Sequence, residues 1–502
     1  VTRSVDHERA PLFDKLTEYA RCRIYGLHTP GHKSGRFADA DMAALVGRHG
    51  LALDLPSMTA TDNTFHPTGC VRDAQGLAAD LVGARETFFL TAGSTLGVAT
   101  ALMAAVRPGE TVALPRNVHR SVVAGLVLCG GRPRFVSHDV LAECGALGVS
   151  GGAITAALDE DPRPVAVLLT RPTYYGLARD LRDAVTECRK RRVPLIVDEA
   201  HGPHFHFLPQ GGPEPALAAG ADLVVQSWHK TLGSLIGSAM LHVGQESLVD
   251  PVRVRDALNF LQTTSPSNLL LASLDVVRRR MWRVGRQVFS QATQSANRLK
   301  DHIETLPGLQ VLRPERDPRL ADHRCDPLRL VVNVANAGWT GYDVELLLRR
   351  EFRIEDEMSD WQNVVYILSP QDDPAAHERL LAGLEEVSNA PQNASPRRPL
   401  DANRLAAMHQ PAIPPLAMLP REAALAGKES VPLDKAAGQV CAEMVMFYPP
   451  GIPLLMPGES ISKETIEVCR EMLAAGAHPY ASDTSLATVR VVKDAERQGI
   501  SI

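Results

Sequence analysis

The sequence lacks the marks of several large protein classes. Its eight cysteines are scattered through 502 residues and no two have C-x-x-C spacing. That leaves neither a disulfide framework nor a zinc framework, and it fits a reducing compartment, the cytoplasm. No metal site is expected. No apolar run approaches the roughly 20 residues that cross a membrane. There is no basic excess: 53 Lys and Arg face 58 Asp and Glu, a formal net charge of −5. A nucleic-acid partner therefore has no support from charge. The first nine residues are polar and charged, without the apolar centre of a signal peptide. No internal repeat is present. Neither G-x-G-x-x-G after the first strand nor the P-loop pattern G-x-x-x-x-G-K-[ST] occurs, which argues against a dinucleotide or P-loop fold.

The rest of the composition is that of a globular protein, with 45% hydrophobic and 22% charged residues. The length corresponds to roughly three domains. From about residue 76, short apolar runs alternate with helical stretches. Strands are expected at 86–90, 111–114, 134–137, 164–170, 193–197 and 222–225, with helices between them, one of them near 118–128. Continuous apolar runs spaced by helices imply an α/β fold with a mostly parallel sheet covered on both faces. A long arginine-rich helix is expected over 268–302. A smaller α+β region follows, with strands near 328–334 and 364–368. The Pro, Asn and Ser-rich segment 389–396 reads as a linker.

Open α/β sheets bind ligands at the carboxyl ends of their strands, so polar residues there come first. Asp198 ends one strand, within Asp198-Glu199-Ala200-His201-Gly202. A buried carboxylate needs a partner, and a protonated pyridine nitrogen would serve; an aspartate there equally serves as a helix N-cap. Lys230 follows the strand 222–225, within Ser227-Trp228-His229-Lys230-Thr231. Its spacing from Asp198 suits one β-α-β step. Such a lysine can form an imine with an aldehyde, whereas a lone lysine after a strand is commonly just solvated. Gly93-Ser94-Thr95 precedes a helix and could cradle a phosphate on backbone N–H groups and two hydroxyls, or simply cap the helix. His119, after the next strand, could stack on a flat ring or stand on the surface at a helix start. Together the four supply a phosphate cradle, a ring face, a pyridinium partner and an imine lysine.

These residues, with further motifs, resemble the bacterial ornithine/lysine/arginine decarboxylases of pyridoxal 5′-phosphate (PLP) fold type I, in a short form like that of arginine decarboxylases. The motifs are His28-Thr29-Pro30-Gly31-His32-Lys33, His66-Pro67-Thr68-Gly69, Pro115-Arg116-Asn117-Val118-His119, Pro172-Thr173-Tyr174-Tyr175-Gly176, Pro449-Pro450-Gly451-Ile452-Pro453 and Pro457-Gly458-Glu459. The resemblance implies an N-terminal segment (1–75), a PLP-binding large domain of aspartate-aminotransferase type (76–267), a small α+β domain (268–390) and a C-terminal α+β decarboxylase domain (391–502). It implies that Lys230 carries the cofactor, that Asp198 pairs with the pyridine nitrogen and that His119 stacks on the ring. Ser94, Thr95 and Ser227 would hold the phosphate, and His229 and His201 would lie beside cofactor and substrate. Glu357, Asp360 and Glu459 match acidic positions suited to a cationic substrate.

The expected reaction is decarboxylation of a basic amino acid, arginine first, with lysine and ornithine close, to the amine and CO2. Such a lyase serves polyamine biosynthesis. A homodimer or higher even homo-oligomer is expected, with no nucleic-acid or membrane partner. The chain also departs from the family pattern. Ala92 and Arg171 stand where asparagine is usual, Ile236-Gly237-Ser238 replaces a hydroxyl-rich run, and Asn268 stands where tyrosine is common. These departures keep two alternatives in view: transamination or oxidative decarboxylation on the same scaffold, and a non-catalytic partner of a decarboxylase.

Overall fold

A computed structural model describes residues 5–22, 24–141, 145–390, 413–447, 451–474 and 476–497. The expected linker lies outside the described residues from 391 on, as do Pro449 and Pro450. The chain divides into two compact units.

The first unit comprises Val1–Ala105, Arg192–Phe207 and Glu214–Gln287. Its strands run in the order Glu86–Leu90, Ala239–Val243, Leu223–Gln226 and Leu195–Asp198. The first three are joined antiparallel and the last pair is parallel. Leu195–Asp198 and Leu223–Gln226 are buried along their whole length, as their unbroken apolar runs predict for a sheet covered on both faces. Asp222, expected to begin its strand, precedes it. Its carboxylate accepts from the N–H groups of Leu195 (2.8 Å) and Leu248 (2.6 Å), and so ties two strand starts together.

The helix Gly93–Ala105 packs on this sheet, and Gly97 permits a very close approach. A Cβ there would sit 2.7 Å from Val225 Cγ1 and 2.8 Å from Leu90 Cδ1. The N-terminal helix Pro11–Arg21 is anchored by a buried pair on the long helix Asn268–Ile303. Arg278 donates to Asp275 at 3.0 Å and to the His7 carbonyl at 2.8 Å, while Asp275 accepts from Leu12 N–H at 2.9 Å.

The second unit comprises Val106–Arg191, Leu208–Pro213 and Val288–Ile502. It holds the parallel strands Ala166–Thr170, Thr111–Pro115 and Arg132–Val136 in that order. It also holds an antiparallel four-stranded sheet, ordered Gln310–Val311, Arg329–Asn333, Asn363–Ile367 and Met358–Ser359. The C-terminal part adds a ribbon of Lys428–Pro432 with Thr488–Val492 and three short strands around Val445–Phe447. The fold class is α/β with a mostly parallel central sheet, joined by α+β regions, as the sequence predicts. Among the described residues, no helix is long and apolar enough to cross a membrane.

Candidate active site

In the first unit, the ends of two strands bring Asp198, His201 and Lys230 together. Leu195–Asp198 closes on Asp198 itself, one residue later than expected. Leu223–Gln226 ends, Ser227 follows, and the short helix Trp228–Thr231 carries His229 and Lys230. Lys230 Nζ lies 2.7 Å from His201 Nε2. An ammonium has donors only, so in this contact His201 Nε2 accepts and its ring proton sits on Nδ1.

Asp198 is 5% exposed, and its Oδ1 accepts from Ala200 N–H at 3.2 Å. Burial pushes its carboxyl above the ordinary carboxylate range, and the positive Lys230 partly opposes this. A carboxylate in that position gains strongly from a cationic N–H partner. His229 donates Nδ1–H to the Ser238 carbonyl at 2.7 Å. Burial lowers its pKa, so it stays neutral near pH 7 and presents a lone pair on Nε2.

Two hydroxyls flank Lys230 in sequence. Ser227 Oγ and Thr231 Oγ1 are both buried and have no hydrogen-bond partner among the described residues. Leaving such groups unpaired costs about 1–3 kcal/mol each. Ser94 and Thr95 lie in the first turn of Gly93–Ala105, rather than before it, and both retain solvent contact. Gly93 opens that turn at φ +69°, a left-handed conformation that glycine adopts without strain, and its N–H donates to the Gly237 carbonyl at 2.7 Å. The site thus offers an amine for an aldehyde, a buried carboxylate for a protonated pyridine nitrogen, and unspent hydroxyls for a phosphate. These are the groups that PLP requires.

Beneath this layer lies a polar network that the motif reading missed. Gln226 Oε1 accepts from Trp228 Nε1 (3.3 Å) and contacts His242 Nε2 (3.2 Å). Gln226 Nε2 donates to Glu199 Oε2 (2.7 Å) and lies 3.2 Å from His206 Nε2. His242 reaches on to Thr87 Oγ1 at 2.8 Å, and Glu199 Oε1 accepts from Ala216 N–H at 2.9 Å. Burial holds the imidazoles neutral, with His206 at about 4 and His242 at about 3. Gln226 therefore links the segment that carries Asp198 to the one that carries Lys230. Its signal in the sequence is a polar residue closing the apolar run Leu223-Val224-Val225.

The other candidates belong to the second unit. His119 is the N-cap of the helix Arg120–Cys129; its Nδ1 accepts from Ser121 N–H at 3.2 Å and contacts Ser121 Oγ at 2.8 Å. Asp360 accepts from the Tyr175 hydroxyl at 2.6 Å and from the N–H groups of Gln362 and Asn363, both at 2.8 Å. Glu459 is fully buried. Its Oε2 pairs with Arg116 at 3.1 Å and accepts from Met456 N–H at 2.8 Å, while Oε1 has no partner among the described residues. Burial outweighs Arg116 and raises the Glu459 pKa. Glu357 is exposed and borders a cavity of the second unit.

Comparison with known proteins shows the family. The family model "Orn/Lys/Arg decarboxylase, major domain" matches residues 10–376, and the C-terminal domain of the same family matches 402–478. The chain belongs to the Orn/Lys/Arg decarboxylase family. It is a PLP-dependent amino acid decarboxylase, a carbon–carbon lyase. It is 37% identical to an arginine decarboxylase of Halalkalibacterium halodurans, over 97% of this chain and 99% of that one. Identity to an arginine decarboxylase of Bacillus subtilis is also 37%, covering 97% and 98%. A crystal structure of a Francisella novicida lysine decarboxylase shares the fold, with a TM-score of 0.83 at 19% identity, covering 96% of this chain and 81% of that one.

The departures from the family pattern fall partly in the site, where the Gly237 and Ser238 carbonyls receive Gly93 N–H and His229 Nδ1–H, and partly outside it. Arg171 is buried and donates to the Arg179 carbonyl at 2.8 Å. Asn268 is buried and donates to the Leu55 carbonyl at 2.6 Å. Ile236 is 85% exposed, and Ala92 is exposed as well.

Proposed function

We propose that this decarboxylase acts on arginine and yields agmatine and CO2, with Lys230 as the residue that carries the cofactor. The observation that carries the arginine reading is the 37% identity, over nearly the whole chain, to two proteins described as arginine decarboxylases. The site reading rests on the grouping of Lys230, His201 and Asp198 with the unspent hydroxyls of Ser227 and Thr231.

When bound, PLP supplies a conjugated ring that accepts the electron pair left at the α-carbon as CO2 departs. The chain's residues do the rest. A neutral amine is the nucleophile, and His201 Nε2, 2.7 Å from Lys230 Nζ, is placed to take the proton that makes it one. Asp198 would hold positive charge on the ring nitrogen. Its burial makes that pairing strong, because neither charge has water to fall back on. Every 1.4 kcal/mol by which this favours the transition state is about a tenfold gain in rate. Ser227, Thr231, Ser94 and Thr95 are the hydroxyls that would donate to the phosphate. His229 keeps its Nδ1–H on Ser238 and offers Nε2 as an acceptor that orients the bound molecule. Lys230 would take up the proton that the substrate's α-ammonium releases and return it to the α-carbon in place of CO2.

The enzyme is assigned to the cytoplasm as a homodimer or higher even homo-oligomer. The free thiols of the described cysteines support the compartment. Large apolar side chains on the first unit, among them Leu27 at 98% exposure together with Tyr25, Phe37 and Leu45, support burial against another copy. The test is direct. Arginine, lysine and ornithine are offered separately, and CO2 and amine are measured. Agmatine should form with a kcat/KM at least about tenfold above the other two substrates. Faster turnover of lysine or ornithine would overturn the arginine assignment, and a keto acid or hydrogen peroxide in place of the amine would overturn the mechanism.

A further inference from the structure

A cavity of about 260 Å³ lies in the second unit, at the antiparallel four-stranded sheet, and the helix Pro374–Asn389 supplies part of its wall. Strand alternation separates it from the other face of that sheet. Met358 and Val365 face a core cluster with Tyr175 and Leu177, whereas Tyr366, next along the strand, lines the cavity. Acidic side chains dominate the polar lining: Glu355, Asp356, Glu357 and Asp372. Ile367, Leu368 and Leu380 supply an apolar wall.

The polar groups fall into two sets. Some are committed. Arg349 donates to Glu345 at 2.6 Å and to Glu355 at 2.8 Å, and His377 lies 3.3 Å from Asp372. Two are unspent. Tyr366 is 5% exposed, and among the described residues its hydroxyl has no partner; Asp356 Oδ2 is likewise buried without one among them. Burial and the neighbouring Glu345 push the Asp356 carboxyl up to about 7 against the opposing pull of Arg349, so a further cation at its Oδ2 would favour the ionised form. Among the described residues, no group of three or more His, Cys, Asp and Glu side chains could hold a metal ion. An organic cation with N–H donors and an alkyl stem matches both the unspent acceptors and the apolar wall.

We propose that this cavity is a second, non-catalytic site for a linear alkyl ammonium or guanidinium ion, and that it takes the reaction's amine product rather than its amino acid substrate. Among the described residues the one basic side chain of the lining is His377, which already lies against Asp372, so the wall offers acidic groups and no guanidinium or ammonium to receive a carboxylate. That the product is agmatine rests on the arginine reading above; that the cavity takes an alkyl cation does not.

The experiment is equilibrium binding to the holoenzyme by calorimetry, with agmatine, pentylamine and 4-guanidinobutyrate as probes. Agmatine should bind at two classes of site per chain and pentylamine at the cavity, while 4-guanidinobutyrate, which carries a carboxylate at one end, should not bind there. Asp356→Asn should weaken one class by roughly tenfold or more. Ala376→Phe, which fills the cavity from a half-buried helix position without touching the unspent groups, should do the same. Both variants should keep the initial decarboxylation rate within about twofold. A single class of agmatine site in the wild type, equal binding by both variants, or equal binding of 4-guanidinobutyrate would overturn the proposal. If another amine proves to be the product, pentylamine binding still reads the cavity, and the product assay alone corrects the substrate.

Discussion

Two layers of polar groups meet at the ends of the strands Leu195–Asp198 and Leu223–Gln226, and the protein treats them in opposite ways. In the lower layer, Gln226 spends both ends of its amide, on Glu199 and His206 at one and on Trp228 and His242 at the other. In the upper layer, Ser227 Oγ and Thr231 Oγ1 are buried yet unspent, and Asp198 is buried with one backbone N–H on its Oδ1. Buried polar groups are normally satisfied. A satisfied layer directly under an unsatisfied one separates what holds the site in shape from what awaits a ligand. The lower layer should govern stability, and the upper layer should govern cofactor affinity and rate.

Breaking the upper layer at its centre should have the largest effect. Lys230→Ala should lower kcat by on the order of a thousandfold or more, measured as CO2 released, while the thermal midpoint of the cofactor-free protein stays close to that of the wild type. Asp198→Asn should lower kcat/KM by about a hundredfold, roughly 2.7 kcal/mol of transition-state stabilisation. The same substitution should leave the cofactor-free protein as stable or more so at neutral pH. The reason is one of sign. Burial raises the Asp198 pKa, so the ionised carboxylate costs folding energy as pH rises through that raised value, and a neutral amide removes the cost.

The lower layer responds in the other currency. Gln226→Leu strands four partners and should cost about 3 kcal/mol of stability, read from urea unfolding. His242 sharpens the point through pH. Burial pushes its pKa from 6.5 down to about 3, so unfolding takes up a proton below about pH 6.5. The stability that this neutral histidine contributes is whole above that pH, and it falls by roughly 1.4 kcal/mol per unit as the pH drops toward 3. His242→Gln should flatten the acid limb of the stability profile by that slope. The smallest effect belongs to Ser227→Ala: removing a buried, unpaired hydroxyl should stabilise the cofactor-free protein by about 1 kcal/mol, while the Kd for PLP rises roughly tenfold.

The upper layer was legible in the sequence because its residues sit in short motifs at strand ends. Asp198-Glu199-Ala200-His201 and Ser227-Trp228-His229-Lys230 each keep their chemistry within a few positions. The parallel strands were legible for a similar reason, since unbroken apolar runs such as Leu223-Val224-Val225 fit a sheet covered on both faces. What was not legible depends on contacts that no local pattern records. Arg116 and Glu459 are 343 positions apart and form one buried pair. Gln226 gathers partners from Thr87-linked His242 to Glu199 only because three strands lie side by side. His119 was left between ring face and helix start; the structure shows its Nδ1 as an N-cap, an in-plane bond that does not decide the ring-face reading. Asp356 and Tyr366 carry no motif at all, and only the register of Asn363–Ile367 brings them to one cavity.

The central claim is that Lys230 is the amine on which the cofactor is held. Its most direct test is borohydride reduction of the holoenzyme, followed by proteolysis and mass measurement of the peptides. The account predicts a single pyridoxyl phosphate adduct, on Lys230, that disappears in Lys230→Ala. An adduct on a different lysine, or an active enzyme with no adduct, would contradict it.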